Sequence, residues 1–309
     1  ELDDDDTLFI MSDHGFGELN YNFHIDTWLL EEGYMTFKNN FWTRLKKMAF
    51  KLGITKETLY PIGEYIYPQL RKAGLLETAL ELASNPWLEW LFLSSQNVDW
   101  PQTKAYSHSE IGHIYLNVKG REPMGAVEPE EIPEVRNEII EKLRNLKNPF
   151  NGKKMIGDIY KGKELYHGDK VKGAPDIVFL PEDMELLRKG AYEFLSHKPV
   201  SKSHSQSGHH RLDGIFLAQG PHIKSENEIA TPHIMDIVPT MLYQMDLPLL
   251  EHMDGRVIED IYDEELLEER RQEYVTKEDL QLDIDEGEND EIDAEDELKR
   301  RLKGLGYVS

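Results

Sequence analysis

Two short stretches hold most of the candidate chemistry. Ser12-Asp13-His14-Gly15-Phe16-Gly17 sets a carboxylate beside an imidazole on a glycine-rich turn, where both can reach one divalent cation. Ser201 to Asp213 (SKSHSQSGHHRLD) crowds His204, His209 and His210 with serines, Gly208 and Arg211 into a segment with little apolar content to pack. Taken singly, each stretch is open to several readings. The three histidines can be ligands, proton-transfer groups or polar loop residues, and Arg211 can contact a phosphate or pair with Asp213. Taken together, two His-bearing loops in a chain without cysteine make an oxygen and nitrogen donor set suited to zinc or manganese. Such a site activates a hydroxyl nucleophile or stabilises charge developing on a phosphoryl oxygen.

The elements around these stretches are those that would hold a site in place. Thr7 to Met11 is a continuous apolar run of strand length, consistent with a strand buried on both faces. The Asp13-His14 turn follows at its C-terminal end, where open α/β sheets build their sites. Gly214 to Ala218 is a second such strand, directly after the His-rich stretch. Ile25 to Gly33 and Pro129 to Leu146 read as helices, and Gly112–Val118, Lys154–Ile159 and Ala174–Leu180 as strands. Thr231-Pro232 is a helix start, with Thr as N-cap and Pro in the first turn, and the helix Ile234 to Met245 then ends at Pro248. Strands alternating with helices imply an α/β fold with a mainly parallel sheet.

Residues 38–97 differ in character and read as a largely helical insertion. Phe41, Leu45, Met48, Ala49 and Leu52 fall at helical spacing, interleaved with Arg44, Lys46, Lys47 and Lys51, and a second helix is expected over Thr78 to Phe92. A basic amphipathic helix can lie on an anionic membrane, but the reading preferred from sequence is a cap on the sheet domain without membrane contact.

Composition narrows the functional classes. The chain has 309 residues, 59 acidic and 35 basic, a formal charge of −24. Residues 251–309 carry 22 acidic and 8 basic side chains, so more than half of the excess sits in the last fifth. The run Asp283–Glu297 is too charged and too poor in apolar residues to fold alone and reads as a solvated linker before a short terminal helix. Phosphate-backbone recognition calls for a basic surface, so a nucleic-acid partner is excluded. No apolar run is long enough to span a bilayer, and no signal peptide is legible, which gives a cytoplasmic expectation.

With these residues in view, the chain resembles the alkaline phosphatase superfamily in its type I phosphodiesterase/nucleotide pyrophosphatase branch. The resemblance is carried by Asp6-Thr-Leu-Phe-Ile-Met-Ser-Asp13-His14-Gly15-Phe-Gly17 and by Ser207-Gly208-His209-His210-Arg211-Leu-Asp213-Gly214-Ile-Phe-Leu-Ala218-Gln-Gly220-Pro221. Thr231-Pro-His-Ile-Met-Asp236-Ile-Val-Pro239-Thr240, Met253-Asp254-Gly255-Arg256 and the closing Leu305-Gly306-Tyr307 continue it in order. The resemblance implies a three-layer sandwich and two divalent metals, zinc or else manganese, that serve a Thr or Ser nucleophile acting on a phosphate-ester or nucleotide substrate. It implies that Asp13 and His14 bind one metal and His210 the other, with His209 as the fallback one register away. Asp236 looks structural.

The family pattern also places an early strand with a ligand Asp, the nucleophile and a further Asp/His pair ahead of the Ser-Asp-His-Gly strand, which here begins at residue 7. Asp99 with Thr103, and His108 with His113, are no substitutes in order or spacing. Residues 1–275 are therefore expected to be the C-terminal portion of an alkaline phosphatase-like domain, incomplete at the N-terminus, followed by the acidic linker and terminal helix over 276–309. The function expected is a metal-dependent hydrolase of phosphodiester or nucleotide pyrophosphate bonds, inactive in this chain alone for want of the nucleophile. The alternatives are a degenerate, non-catalytic partner chain, or a related phosphomonoesterase, sulfatase or phosphomutase. Oligomeric state is not legible.

Overall fold

The computed structural model describes residues 3, 5–73, 91–108, 112–189, 194–204, 206–225, 229–276 and 279. The second insertion helix expected over Thr78–Phe92 and the tail over 276–309 lie almost wholly outside these residues. In chain order the elements are β1 (Leu8–Met11), β2 (Gly15–Glu18), β3 (Tyr21–His24), α1 (Ile25–Glu31), α2 (Phe41–Lys51) and α3 (Lys56–Lys72). There follow β4 (Ala105–Tyr106), β5 (His113–Leu116), α4 (Ile132–Arg144), β6 (Ile156–Lys161), α5 (Gly162–Leu165), β7 (Ile177–Pro181), β8 (Leu186–Lys189) and β9 (Val200–Lys202). The last are β10 (Gly208–Arg211), β11 (Phe216–Gln219), α6 (Ile237–Gln244), β12 (Leu249–Leu250), α7 (Glu264–Glu269) and β13 (Tyr274–Val275).

The described residues form two compact units, one from the segment through Phe16 together with residues 210–276, the other from Gly17 to His209. The second unit holds a four-stranded sheet in the order β4-β5-β7-β6 and a three-stranded sheet in the order β8-β3-β9. Its core includes Phe23, whose ring meets Trp28 and Phe179 at 6.0 Å, and the inward stripe Val135, Ile139, Ile140 and Leu143 of α4. Burying each such large side chain contributes roughly 1.5–3 kcal/mol. α1 stops where the spacing places its end, with Gly33 at φ +81 just beyond it.

The mainly parallel sheet expected from the helix–strand alternation is not what forms. Among the described strands, the pairs β1/β11, β3/β9, β4/β5, β5/β7 and β6/β7 are antiparallel, and β3/β8 and β12/β13 are parallel. Alternation shows that strands and helices pack together, but strand direction is set by long-range pairing that no local pattern encodes. β1 also departs from the reading of a strand buried on both faces, since Leu8, Ile10 and Met11 are exposed. Its one neighbour among the described residues is β11, so its apolar run has a partner on one edge only.

The insertion helix α2 forms where expected, capped by Asn40, whose Oδ1 accepts the Thr43 N–H at 2.9 Å. It is turned the other way round, however. Thr43 and Phe50 face inward, Phe50 against Phe194, while Phe41, Leu45, Met48 and Leu52 are exposed.

α3 is fastened to the sheet by a polar cluster with no sequence signal. Glu57 lies in its first turn, where the helix dipole favours a carboxylate. The Ser201 hydroxyl donates to Glu57, His24 Nε2 donates to Ser201 Oγ at 2.9 Å, and the same nitrogen lies 3.5 Å from Glu57 Oε1. Burial pushes the Glu57 carboxyl up, but hydrogen bonds from His24, Ser196 and Ser201, and the charge of His24, outweigh it and hold the pKa at about 2. A carboxylate depressed in this way stabilises the fold fully above its ordinary value of 4.5 and loses that contribution as pH falls towards 2. The stability advantage of the parent chain over Glu57→Gln is therefore expected to shrink by about 2 kcal/mol between about pH 7 and pH 3. Urea denaturation of both proteins across that range measures it, and a pH-independent difference would contradict the arrangement.

Candidate metal centre

In the first unit, β1 and β11 run antiparallel with Met11 opposite Phe216 and Phe9 opposite Ala218. Beyond β1 the pairing continues for one residue, as Ser12 N–H donates to the Ile215 carbonyl at 3.0 Å and Ile215 N–H donates to Ser12 Oγ at 2.9 Å. This double clasp fixes the start of the Asp13-His14 turn. Two glycines permit the close approach. A Cβ on Gly214 would lie 2.7 Å from Ser12 Oγ, and one on Gly15 would lie 2.1 Å from the Asp213 carbonyl oxygen.

Three of the residues singled out by sequence come together here. The His14 and His210 rings lie 3.9 Å apart between centroids, and His14 Nε2 lies 3.6 Å from Asp13 Oδ1. Two ligands on one tetrahedral zinc sit about 3.3 Å apart, given bonds of about 2.0–2.1 Å, so Asp13 and His14 already present one edge of a coordination sphere. His14 Nδ1 lies 2.8 Å from the Gly15 carbonyl oxygen. A carbonyl only accepts, so Nδ1 carries the proton and Nε2 keeps its lone pair, the tautomer and backbone anchor that histidine ligands commonly have. The donor chemistry and this anchoring fit a divalent cation. The donor atoms of Asp13, His14 and His210 do not all converge on one point, so the ring of His210 stands beside the Asp13–His14 edge rather than completing it.

The other candidates are placed apart. Arg211 Nη1 lies 3.5 Å from the His210 carbonyl oxygen. His209 precedes His210 on β10, so the two point to opposite faces of that strand. His204 is exposed on the segment between β9 and β10 and, like His209, is counted with the second unit. Beside Asp13 opens a cavity of about 450 Å³ lined by Ser12, Asp213, Thr231, His233 and the apolar Ile215 and Phe216, a size that admits a small ligand.

The helix behind this cavity is not capped by Thr231. His233 caps a 3₁₀ turn over Ile234–Asp236, where the sequence places the helix start, its N–H donating to Asp236 Oδ2 at 2.8 Å, and α6 continues from Ile237. Asp236 Oδ1 also accepts the Arg256 N–H at 2.9 Å. Thr240 Oγ1 donates to the Asp236 carbonyl at 2.6 Å and accepts the Ile258 N–H at 3.0 Å. Asp236 is thus a structural clamp between the start of α6 and the Met253-Asp-Gly-Arg256 stretch.

Sequence reasoning missed one further cluster. His222, Asp263 and Glu265 offer donor atoms that lie within 4.8 Å of one another, the one group of three or more with this property among the described residues. His222 Nδ1 lies 3.1 Å from Asp263 Oδ2. The Leu266 N–H, and after it His222, hold the Asp263 carboxyl below the usual carboxylate range. Forty-one positions separate His222 from Asp263, and neither residue type nor spacing marks the pair.

The family model for type I phosphodiesterase / nucleotide pyrophosphatase matches residues 1–210. No curated protein and no solved structure matches the chain. No helix of the described residues is long and apolar enough to cross a membrane.

Proposed function

The chain belongs to the type I phosphodiesterase / nucleotide pyrophosphatase family of the alkaline phosphatase superfamily, and on that premise we propose that it is a metal-dependent hydrolase of phosphodiester or nucleotide pyrophosphate bonds. Asp13, His14 and His210 are its metal-holding residues in this reading, Asp13 and His14 on one ion and His210 on a second. The observation that carries it is the meeting of His14 and His210, almost two hundred positions apart in sequence, at ring contact beside Asp13. Zinc, or manganese in its place, would supply Lewis-acid stabilisation of a phosphoryl oxygen there.

The protein groups have separable parts in this reading. The Gly15 carbonyl fixes the tautomer of His14, and the two glycines keep the supporting strands close enough to hold Asp13 and His14 side by side. Arg211, next to His210, supplies a cation for a phosphate oxygen. The cavity beside Asp13 receives one substituent of the phosphoester. Ser12 Oγ accepts the Ile215 N–H and so holds the clasp, and in this reading the attacking hydroxyl is not supplied by the turn. The cluster is therefore one part of a hydrolytic centre, and we propose that residues 1–309 alone bind metal without turning over a phosphodiester.

The test is equilibrium dialysis against micromolar zinc in a His222→Ala background, which removes the separate His222 cluster. About one weakly held zinc per chain is expected, since Asp13 and His14 give one ion only two protein ligands and His210 gives the other a single one, with no hydrolysis of bis-p-nitrophenyl phosphate. A chain that takes up no zinc overturns the metal assignment, and zinc-dependent hydrolysis overturns the claim that this chain lacks its nucleophile.

A further inference from the structure

From Gly33 through Lys56 inclusive the sequence holds six basic residues and no acidic one, in a chain whose formal charge is −24. This basic segment contains α2, whose orientation is the feature that needs an explanation. Thr43 and Phe50 occupy the inward side: Asn97 Nδ2 donates to Thr43 Oγ1 at 3.2 Å, and the Phe50 ring meets Phe194 at 6.1 Å. The opposite side carries Phe41, Leu45 and Met48, continued by Leu52 at the helix end, at spacings that keep them in one stripe. Their exposures are 72%, 45%, 56% and 74%. Ile54, just past the helix, adds a fifth apolar side chain at 53%. At about 100° per residue, Arg44 and Lys51 border this stripe on one side, while Lys46 and Lys47 lie back towards the inward side and are half-buried.

An exposed apolar stripe bordered by lysine and arginine is the arrangement of a helix lying in the plane of a lipid interface. We propose that α2 docks this protein on the surface of an anionic phospholipid bilayer, its stripe inserted among the acyl chains and its basic flank at the lipid phosphates. Charge complementarity selects this occupant, since the longest acid-free segment of an acidic chain coincides with the outward apolar face. The shape agrees. The stripe lies on a convex helix, to which a bilayer conforms directly, whereas a protein partner would have to supply a matching groove. Long lysine stems can keep their ammonium groups at the headgroups while the apolar side chains enter. The chain's negative charge opposes approach, but at about 0.1 M salt a charge more than about 10 Å from the surface is largely screened. This docking does not depend on the hydrolase reading.

The experiment is co-sedimentation of the full chain with phosphatidylcholine vesicles, with and without about one-third phosphatidylglycerol, at low and at about 1 M salt. Binding is expected to the anionic vesicles, to weaken at high salt, and to be at background for neutral ones. Leu45→Glu/Met48→Glu and, separately, Arg44→Gln/Lys51→Gln are each expected to lower the apparent affinity about tenfold or more, at about fivefold per basic side chain. All four positions are outside the core, and circular dichroism checks that both variants fold. Failure to pellet with anionic vesicles at low salt overturns the proposal, as does parental binding by both folded variants. Binding to poly-glutamate without binding to vesicles would assign the surface to an acidic protein partner and overturn it equally.

Discussion

Asp236→Ala is expected to destabilise the protein by about 4 kcal/mol, the largest effect of any single substitution considered. Its carboxylate accepts from the His233 and Arg256 backbones and is itself buried. Removing it leaves two N–H groups without their acceptor in a place where hydrogen bonds to a charged group are each worth about 1.5–3 kcal/mol. The backbone around it has no room to readjust, because a Cβ on the neighbouring Gly255 would already stand 2.0 Å from the Met235 carbonyl oxygen. Asp236→Asn keeps one acceptor oxygen and is expected to cost about half as much. Urea unfolding followed by near-ultraviolet circular dichroism measures both, and a loss below about 1 kcal/mol for the alanine variant would contradict the clamp.

His14→Ala is expected to weaken zinc binding by more than about 100-fold. Loss of a group that merely orients a ligand already costs up to about that factor, and His14 is proposed as a ligand itself. The effect should be separable from folding, because His14 is half-exposed and its removal leaves the Ser12–Ile215 clasp intact. Competition against a chromophoric chelator gives the affinity. Parental affinity in a folded His14→Ala chain would remove Asp13 and His14 from the metal site, whereas loss in that variant with retention in His222→Ala would place the ion at the turn.

Much of the local structure was legible because its causes are local. The 3.6-residue spacing of Val135, Ile139 and Leu143 gives α4 its inward face, and Gly33 ends α1. The Asp13-His14 turn could be singled out because a strand, two polar ligand types and glycines succeed one another without a gap. What stayed hidden depends on partners distant in sequence. An amphipathic pattern says that a helix has an apolar face but not that this face turns inward, and in α2 a threonine and one phenylalanine go inside instead. The apolar run of β1 looks the same whether one face or both are covered, and its direction relative to β11 follows from pairing across two hundred residues. Glu57, Ser201 and His24 are ordinary polar residues until α3 and the strands carrying Ser201 and His24 bring them together.

The outward apolar run of β1 has a consequence for handling the molecule. β1 is bonded along one side only among the described residues, so its other side offers backbone donors and acceptors to any extended segment that approaches. The formal charge of −24 keeps copies apart near neutral pH. Acidification towards the isoelectric point removes that repulsion while leaving the strand unchanged. Concentrated stocks should then turn cloudy well before the fold itself is lost.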